Sequence, residues 1–451
     1  MKTTPVLLAA GLGTRMRSRT PKVLHPVCGQ PMLAYSLMAA RQASTETPVV
    51  VIGHGAETVR TWVGDSARCV LQDPPLGTGH AVLQAEELLR SEADLVLVTY
   101  ADMPLLRPET LQQMVEKQKQ NPGAITLLTV KAPDPRGFGR VLRGKDGKVK
   151  AIVEEAAATP EQLSIHELNV GAYCFRSDWL WDALHRLPVS KKGEYYLTDT
   201  VALAVEDGLA VESIVCTDLD ETIGINTRVH LAEAEAVMRR RINSAHMLAG
   251  VTILDPNVTY IHAGVTIGQD TVILPNSYIE GKTSIGEGCV VGPETIIRDS
   301  SIGNDCKLFK SVVESAVVED KVDMGPFAHL RKGAHLCSGV HMGNFGEVKD
   351  STLGPGTKMG HFSYIGNATI GRDVNIGAGT ITCNYDGVHK NPTVLEDEVF
   401  IGSDTMLVAP VKIGKRSRTG AGAVVTKDVP EDTLVVGVPA RPIKKLNSDQ
   451  K

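Results

Sequence analysis

Two different spacings of apolar residues divide this chain. Up to about Arg228, short buried-type runs alternate with helical stretches. "VLLAA", "PVVVIGHG", "ADLVLVTYAD", "AITLLTV" and "AVESIVC" are predicted as strands bounded by turns. "PMLAYSLMAARQAS" and "TGHAVLQAEELLRSE" carry the spacing of helices. This alternation predicts an α/β layer on a largely parallel sheet, whose ligands sit beyond the strand C-termini. Leu231, Ala234, Met238, Ile242, Ala245 and Leu248 then recur every three or four residues, which predicts one helix from Thr227 to about Leu248. Beyond Gly250 the step becomes six. Ile261, Ile267, Ile273, Ile279, Ile285, Val291 and Ile297 stand six apart without a break, and similar sets run on to Ile413. Glycine often follows the aliphatic, as in "SIGEGC" and "NIGAGT".

A six-residue period of this kind marks a hexapeptide β-helix, in which three short faces close a coil and the aliphatics stack inward. Glycine and asparagine then turn the corners, where positive φ is needed. The one clear interruption, Thr382–Pro392 ("TCNYDGVHKNP"), predicts an external loop on the binding side. The organisation expected is therefore 1–228 as a Rossmann-like α/β domain, 229–249 as a helical linker, and 250–451 as a parallel β-helix of hexapeptide repeats.

Composition narrows the function classes. The 451 residues are 42% hydrophobic but only 4% aromatic, which suits many small repeating units. A net charge of −5 supplies no basic stripe for nucleic acid. The eight cysteines form no CxxC and no recognisable zinc spacing, so they are expected to be reduced thiols. The apolar run Val6–Ala10 is too short for a membrane span or a signal-peptide core. A soluble, cytoplasmic protein is expected.

Chemistry enters with "LLAAGLGTRM" and the Pro21-Lys22 pair. Gly11 and Gly13 follow a strand, as in a dinucleotide loop, but Met16 stands where a third glycine belongs, and no P-loop Gly-Lys-Ser/Thr is present. Two glycines let backbone N–H groups approach a triphosphate, while Arg15 offers a planar fork of donors and Lys22 a point charge. No nearby nucleophile is apparent, which suits direct nucleotidyl displacement assisted by Mg²⁺. A tight turn carrying a solvated Arg and Lys is the plainer reading of this stretch.

"LAAGLGTRM" with Pro21-Lys22 resembles the signature of the sugar-phosphate nucleotidyltransferases, and the hexapeptide half resembles the left-handed β-helix acyltransferases. Joined through a long helix, the whole chain resembles the bacterial bifunctional family of N-acetylglucosamine-1-phosphate uridylyltransferase / glucosamine-1-phosphate acetyltransferases (GlmU type). The resemblance implies uridine and triphosphate contacts at Leu8, Ala9, Ala10, Gly11, Arg15 and Lys22. "LQDPPLGTGHA" implies Gln72, Gly77 and Thr78 at the uracil. "TYAD" implies nucleotide contacts at Tyr100 and Ala101, with Asp102 a Mg²⁺ ligand; Ala101 replaces the family's usual glycine. Gly139 of "RGFGRV", Glu154 of "IVEE" and Asn169 of "ELNVGAY" are implied to hold the acetylated sugar. "GEYYLTD" is also present, and Asn226 of "GINTR" is the second implied metal ligand.

For acetyl transfer the resemblance implies Arg331 and Lys349 on the sugar phosphate, His361 as general base, and Tyr364 and Asn375 positioning the sugar. Ala378, Asn384, Tyr385, Ser403 and Ala421 would line the acetyl-CoA site. The tail departs from the pattern, with Gly437 before Val438-Pro439 where some members place an arginine; Arg441, Lys444 or Lys445 would then meet the CoA phosphate. The implied substrates are UTP, glucosamine-1-phosphate, N-acetylglucosamine-1-phosphate and acetyl-CoA. The implied assembly is a homotrimer, without nucleic acid or membrane, and the implied role in bacteria is supply of a cell-wall precursor. A narrower reading keeps only the nucleotidyltransferase, with the β-helix serving regulation or assembly; a third, a non-catalytic scaffold, leaves Asp102 and Asn226 unexplained.

Overall fold

The computed structural model of the protein describes residues 1–445. The chain forms two compact units, Met1–Met238 and the remainder from Arg239, and the helix Arg228–Leu248 spans their boundary.

In the first unit a central sheet runs in the order Val211–Cys216, Ile125–Lys131, Glu167–Arg176, Leu95–Tyr100, Thr3–Ala9, Val49–Ile52, Arg68–Leu71. Thr3–Ala9 pairs in parallel with both Val49–Ile52 and Leu95–Tyr100. Val6, Leu7, Val49–Ile52 and Leu95–Val98 are fully buried. Covered on both faces, such strands appear in the sequence as continuous apolar runs, which is why they were legible.

Glu167–Arg176 is the exception. It inserts antiparallel between Leu95–Tyr100 and Ile125–Lys131, and its register slips between Asn169 and Tyr173. Gly171 lies in this bulge at φ +93°, and a Cβ there would come within 2.5 Å of the Tyr100 ring. Polar and glycine residues at the bulge hide the strand from a pattern search while fitting it against Tyr100. The predicted helix "TGHAVLQAEELLRSE" divides into Thr78–Leu83 and Glu86–Leu89 about the fully buried Ala85.

The second unit is a three-faced parallel β-helix of two- to five-residue strands gathered into sheets of 12, 10 and 9 strands. Stacked partners include Ile261↔Ile279↔Ile297, Val313↔Leu330↔Val348 and Ile273↔Val291↔Leu308. These side chains form one continuous apolar column, with Ile267 only partly buried against it. Between Leu308 and Val318 the inward residue is Val313, so two five-residue faces restore the register; Val312 and Val317 point outward. The Thr382–Pro392 insertion closes on itself through a Tyr385–Lys390 bridge and an Asn391 N–H to Asn384 C=O bond of 2.7 Å. Arg441–Lys445 pairs antiparallel with Thr433–Val436, where the parallel stack ends.

Candidate active sites

The first site opens at the C-terminal ends of the parallel strands. A cavity of about 350 Å³ is lined by Leu8, Ala9, Ala10, Gly11, Lys22, Gln72, Gly77, Thr78, Tyr100 and Asp102, together with Glu194 and Tyr196. Gly13 has φ +62°, and a Cβ there would fall 2.8 Å from that of Lys22, so the glycine allows the loop to fold over the lysine. Buried Gln72 donates to the Gly77 carbonyl at 2.9 Å, which fixes its amide in the cavity wall. Thr78 Oγ1 accepts the Leu197 N–H at 3.0 Å and also bonds the Tyr100 hydroxyl. Burial, with the negative charges of Glu154 and Asp102 behind it, pushes the Tyr100 phenol far above its usual pKa, so it remains a neutral donor.

Lys22 Nζ donates to the Asp102 carboxylate and, at 3.2 Å, to Asn226 Oδ1. The Asp102 carbonyl also accepts the Ile225 N–H at 2.9 Å, tying the two segments together. Two oxygens from distant segments thus converge on a single cationic position. Hard oxygen donors of this kind suit Mg²⁺, which keeps several waters and shares the rest of its shell with substrate phosphates.

The implied sugar-binding residues extend from this cavity. The Asn169 N–H donates to the Gly139 carbonyl at 2.9 Å, and its side chain donates to the Tyr173 hydroxyl at 2.7 Å. Glu154 accepts the Thr198 hydroxyl at 3.0 Å. Ala101 is fully buried; its N–H bonds Leu8 and its carbonyl accepts the Ser36 hydroxyl. Arg15 stands apart, exposed on the short helical turn Thr14–Met16 and outside the cavity lining.

The second site lies on one face and one edge of the β-helix. Arg331 pairs with Glu347 at 2.8 Å and lies close to Tyr364. Lys349 lies against Lys390, and this neighbour, reinforced by Arg331, lowers the Lys349 pKa. Three cations thus meet here, with the carboxylate of Glu347 on Arg331 and that of Asp350 3.9 Å from Lys349. Gly366 leaves room beside them: a Cβ there would come 2.5 Å from Tyr364 Oη and 2.8 Å from Asn384 Nδ2.

His361 is exposed at the corner just before the strand Ser363–Gly366, while Met359 and Ile365 take the inward positions. The same corner recurs on successive coils as Gly377-Ala378, Gly402-Ser403 and Gly420-Ala421. The stacking is direct: Gly379 N–H bonds Phe362 C=O at 2.7 Å, Asp404 N–H bonds Ala378 C=O at 2.6 Å, and Gly422 N–H bonds Ser403 C=O at 2.8 Å. His361, Ala378, Ser403 and Ala421 therefore form one column of small residues with an imidazole at its end. Asn375 lies on the neighbouring face, Tyr385 is exposed in the insertion loop, and Arg441 is exposed on the final antiparallel strand.

Comparison with known proteins supplies the family. Residues 5–197 match the MobA-like NTP transferase domain, and residues 264–299 and 392–427 match the bacterial transferase hexapeptide (six repeats). The Bifunctional protein GlmU of Heliobacterium modesticaldum is 48% identical over 436 residues, covering 96% of this chain and 95% of that protein. Those of Syntrophomonas wolfei (47% over 438 residues, 97% of each chain) and Shouchella clausii (42% over 447 residues, 99% and 98%) are similar over the same extent. The chain belongs to the GlmU family. Its second unit is accordingly a left-handed parallel β-helix built on hexapeptide repeats.

Within this GlmU-family chain, the structure adds residues that sequence reading left unassigned. Glu194 and Tyr196 of "GEYYLTD" line the nucleotide-side cavity, and Gly77 packs against this segment, since a Cβ on it would meet the Tyr195 backbone at 2.6 Å. Lys390 joins the cationic cluster from the insertion loop. Its only signal in sequence was a lysine inside the single break of the hexapeptide period.

Proposed function

We propose that this chain carries out both steps of UDP-N-acetylglucosamine synthesis. The second unit transfers acetyl from acetyl-CoA to the amine of glucosamine-1-phosphate. The first then joins N-acetylglucosamine-1-phosphate to UTP, releasing pyrophosphate. The observation that carries the uridylyl half of this reading is the convergence of Asp102 and Asn226 on the Lys22 ammonium, beside a cavity that Lys22 and Asp102 line. The acetyl half rests on the column of corner residues that ends at His361.

In the uridylyl site, Gln72, Gly77 and Thr78 hold the base, and Leu8–Gly11 present backbone to the nucleotide. Gly139, Glu154 and Asn169 orient the sugar so that its phosphate oxygen attacks the α-phosphorus in line. Lys22 meets the triphosphate, and Arg15 reaches it from its exposed turn. Asp102 and Asn226 would hold Mg²⁺, which when bound neutralises charge on the phosphates.

In the acetyl site, Arg331 and Lys349, with Lys390, hold the sugar phosphate, and Tyr364 and Asn375 set the sugar. The amine nitrogen attacks the thioester carbonyl, His361 accepts the proton from that nitrogen, the C–S bond breaks, and the same proton passes to the departing sulfur so that CoA leaves as the thiol. The Ala378–Ser403–Ala421 column, with Asn384 and Tyr385, gives acetyl-CoA a groove ending at His361, and Arg441 offers charge to a CoA phosphate.

We read the assembly as a homotrimer, and exposed rings on the same edge support contact between copies. Below His361 the corner carries Phe309, Phe327, Phe345 and Phe362, which are 44–58% exposed, with the rings of Phe327 and Phe345 stacked at 5.2 Å. Such a ladder supports association with another copy beside the acetyl site. No helix among the described residues is long and apolar enough to cross a membrane; with the reduced thiols expected above, this supports a cytoplasmic setting.

The test is mass spectrometry of products formed from glucosamine-1-phosphate, acetyl-CoA, UTP and Mg²⁺. UDP-N-acetylglucosamine is expected. Accumulation of glucosamine-1-phosphate with no release of CoA would reduce the protein to its nucleotidyltransferase half.

A further inference from the structure

On a different sheet of the β-helix from the one that carries Arg331 and Lys349, three metal-ligating side chains gather on one outer face. Val317 stacks on His335 and Val318 on Leu336, so Glu319 and Cys337 are neighbours on adjacent coils. Leu336 and Val318 point into the core. The alternation along "HLC" therefore turns His335 and Cys337 outward together, beside Glu319. One ligand atom from each lies within 4.8 Å of the other two.

Glu319 is the hub. Its Oε1 faces His335 Nε2 at 2.8 Å, and it also accepts from the Cys337 thiol. Its Oε2 is held by the Ser338 N–H and hydroxyl, both at 2.9 Å, which fix the carboxylate on a rigid strand. Such hydrogen bonds to a ligating carboxylate are the usual support of a metal site. All three side chains are partly exposed, so a cation has a path in.

We propose that Glu319, His335 and Cys337 form a binding site for a borderline-soft divalent transition ion such as Zn²⁺, with water completing a tetrahedron. The ion takes the place of the protons now shared at Glu319: the thiol gives up its proton to solvent and binds as thiolate. For ligands about 2.0–2.1 Å from the metal, a tetrahedral edge is roughly 3.3 Å. The His335–Glu319 pair must therefore open by about half an ångström and the sulfur move in, both within rotamer adjustment. A thiolate and an imidazole also favour this class of ion over Mg²⁺. Because the ligands come from neighbouring coils, their sequence separation matches no zinc motif.

The test uses Co²⁺ titrated into the chelator-treated full-length protein. One equivalent per chain should give a thiolate-to-cobalt charge-transfer band and tetrahedral d–d bands, which Zn²⁺ abolishes and Mg²⁺ leaves in place. Cys337→Ser should remove the charge-transfer band with circular dichroism and both transferase activities unchanged. His335→Ala and Glu319→Gln should each weaken cobalt binding at least about tenfold. Absence of the band in the unmodified protein, or its survival in Cys337→Ser, overturns the proposal, since the latter assigns it to another of the eight thiols.

Discussion

The two units collect functional groups in opposite ways. In the first, Lys22 meets a residue 80 positions away and another 204 positions away, so the site exists only when the whole sheet is assembled. In the second, Arg331 meets Glu347 at a separation of 16, and the His361–Ala421 column is a series of adjacent corners. A sheet site is a global property of its unit. A solenoid site is local, because each coil contacts only its neighbours.

The sharpest way to break this contrast is to separate the activities. Asp102→Ala should abolish measurable uridylyl transfer and leave acetyl transfer intact. His361→Ala should lower acetyl transfer by about 10²–10⁴-fold and spare uridylyl transfer. Separate assays of each half-reaction check both, and loss of both activities in a folded variant contradicts independent sites.

Stability should divide the same way. Leu97 and Leu330 are both fully buried, and truncating either to Ala should cost about 2–5 kcal/mol. Hydrogen exchange should show Leu97→Ala loosening the whole sheet of the first unit, with Leu330→Ala loosening only the coils beside it. Uniform loosening of the β-helix would remove the distinction.

Anion binding tests the local cluster. Phosphate should raise the thermal stability of the second unit, and the effect should fall several-fold in Lys390→Ala. Lys390 and Arg331 hold the Lys349 pKa below its usual value, so anion affinity should weaken as pH rises through that lowered pKa. In Lys390→Ala the weakening should move to higher pH, as read by calorimetry.

The smallest effect compares two ion pairs. Arg143 grips Glu167 at 2.5 and 2.7 Å across the sheet, and Arg416 grips Asp432 at 2.7 Å in the next coil. Each arginine holds its carboxylate below the usual pKa. Stabilisation from a depressed carboxylate is present above its unfolded pKa and lost as pH falls through its folded pKa. Arg143→Met should therefore cost about 1 kcal/mol at neutral pH and little in acid, measured by urea unfolding. Arg416→Met should show the same sign with a smaller size, since Arg416 and its partner are screened by water.

Legibility followed the same divide. The β-helix was readable because its period is its structure: inward aliphatics, glycine and a turn recur at fixed steps. Of the residues that the resemblance implies, Leu8–Gly11, Lys22, Gln72, Gly77, Thr78, Tyr100 and Asp102 line one cavity, whereas Arg15 does not. The strand Glu167–Arg176 was missed because its bulge interrupts alternation with Asn169 and Gly171. Lys390 was missed because an irregular loop has no period to place its side chain. The left-handed corners also depart from expectation. Aspartate takes positive φ at Asp270, Asp299, Asp305, Asp350, Asp373, Asp404 and Asp432, and Lys310, Lys321, Phe327, Phe345 and Arg416 do so as well, so the turning is shared well beyond glycine.

The column of small corner residues makes the solenoid a ruler. Each coil adds about 4.8 Å along the axis, so His361 and Ala421, three coils apart, are separated by roughly 14 Å along it. A ligand's reach is thus graduated in whole coils. Deleting one complete turn between these residues would preserve the aliphatic column yet bring Ala421 closer to His361 by a single graduation, so, on the acetyl-transfer function proposed above, the length of acyl carrier accepted should change.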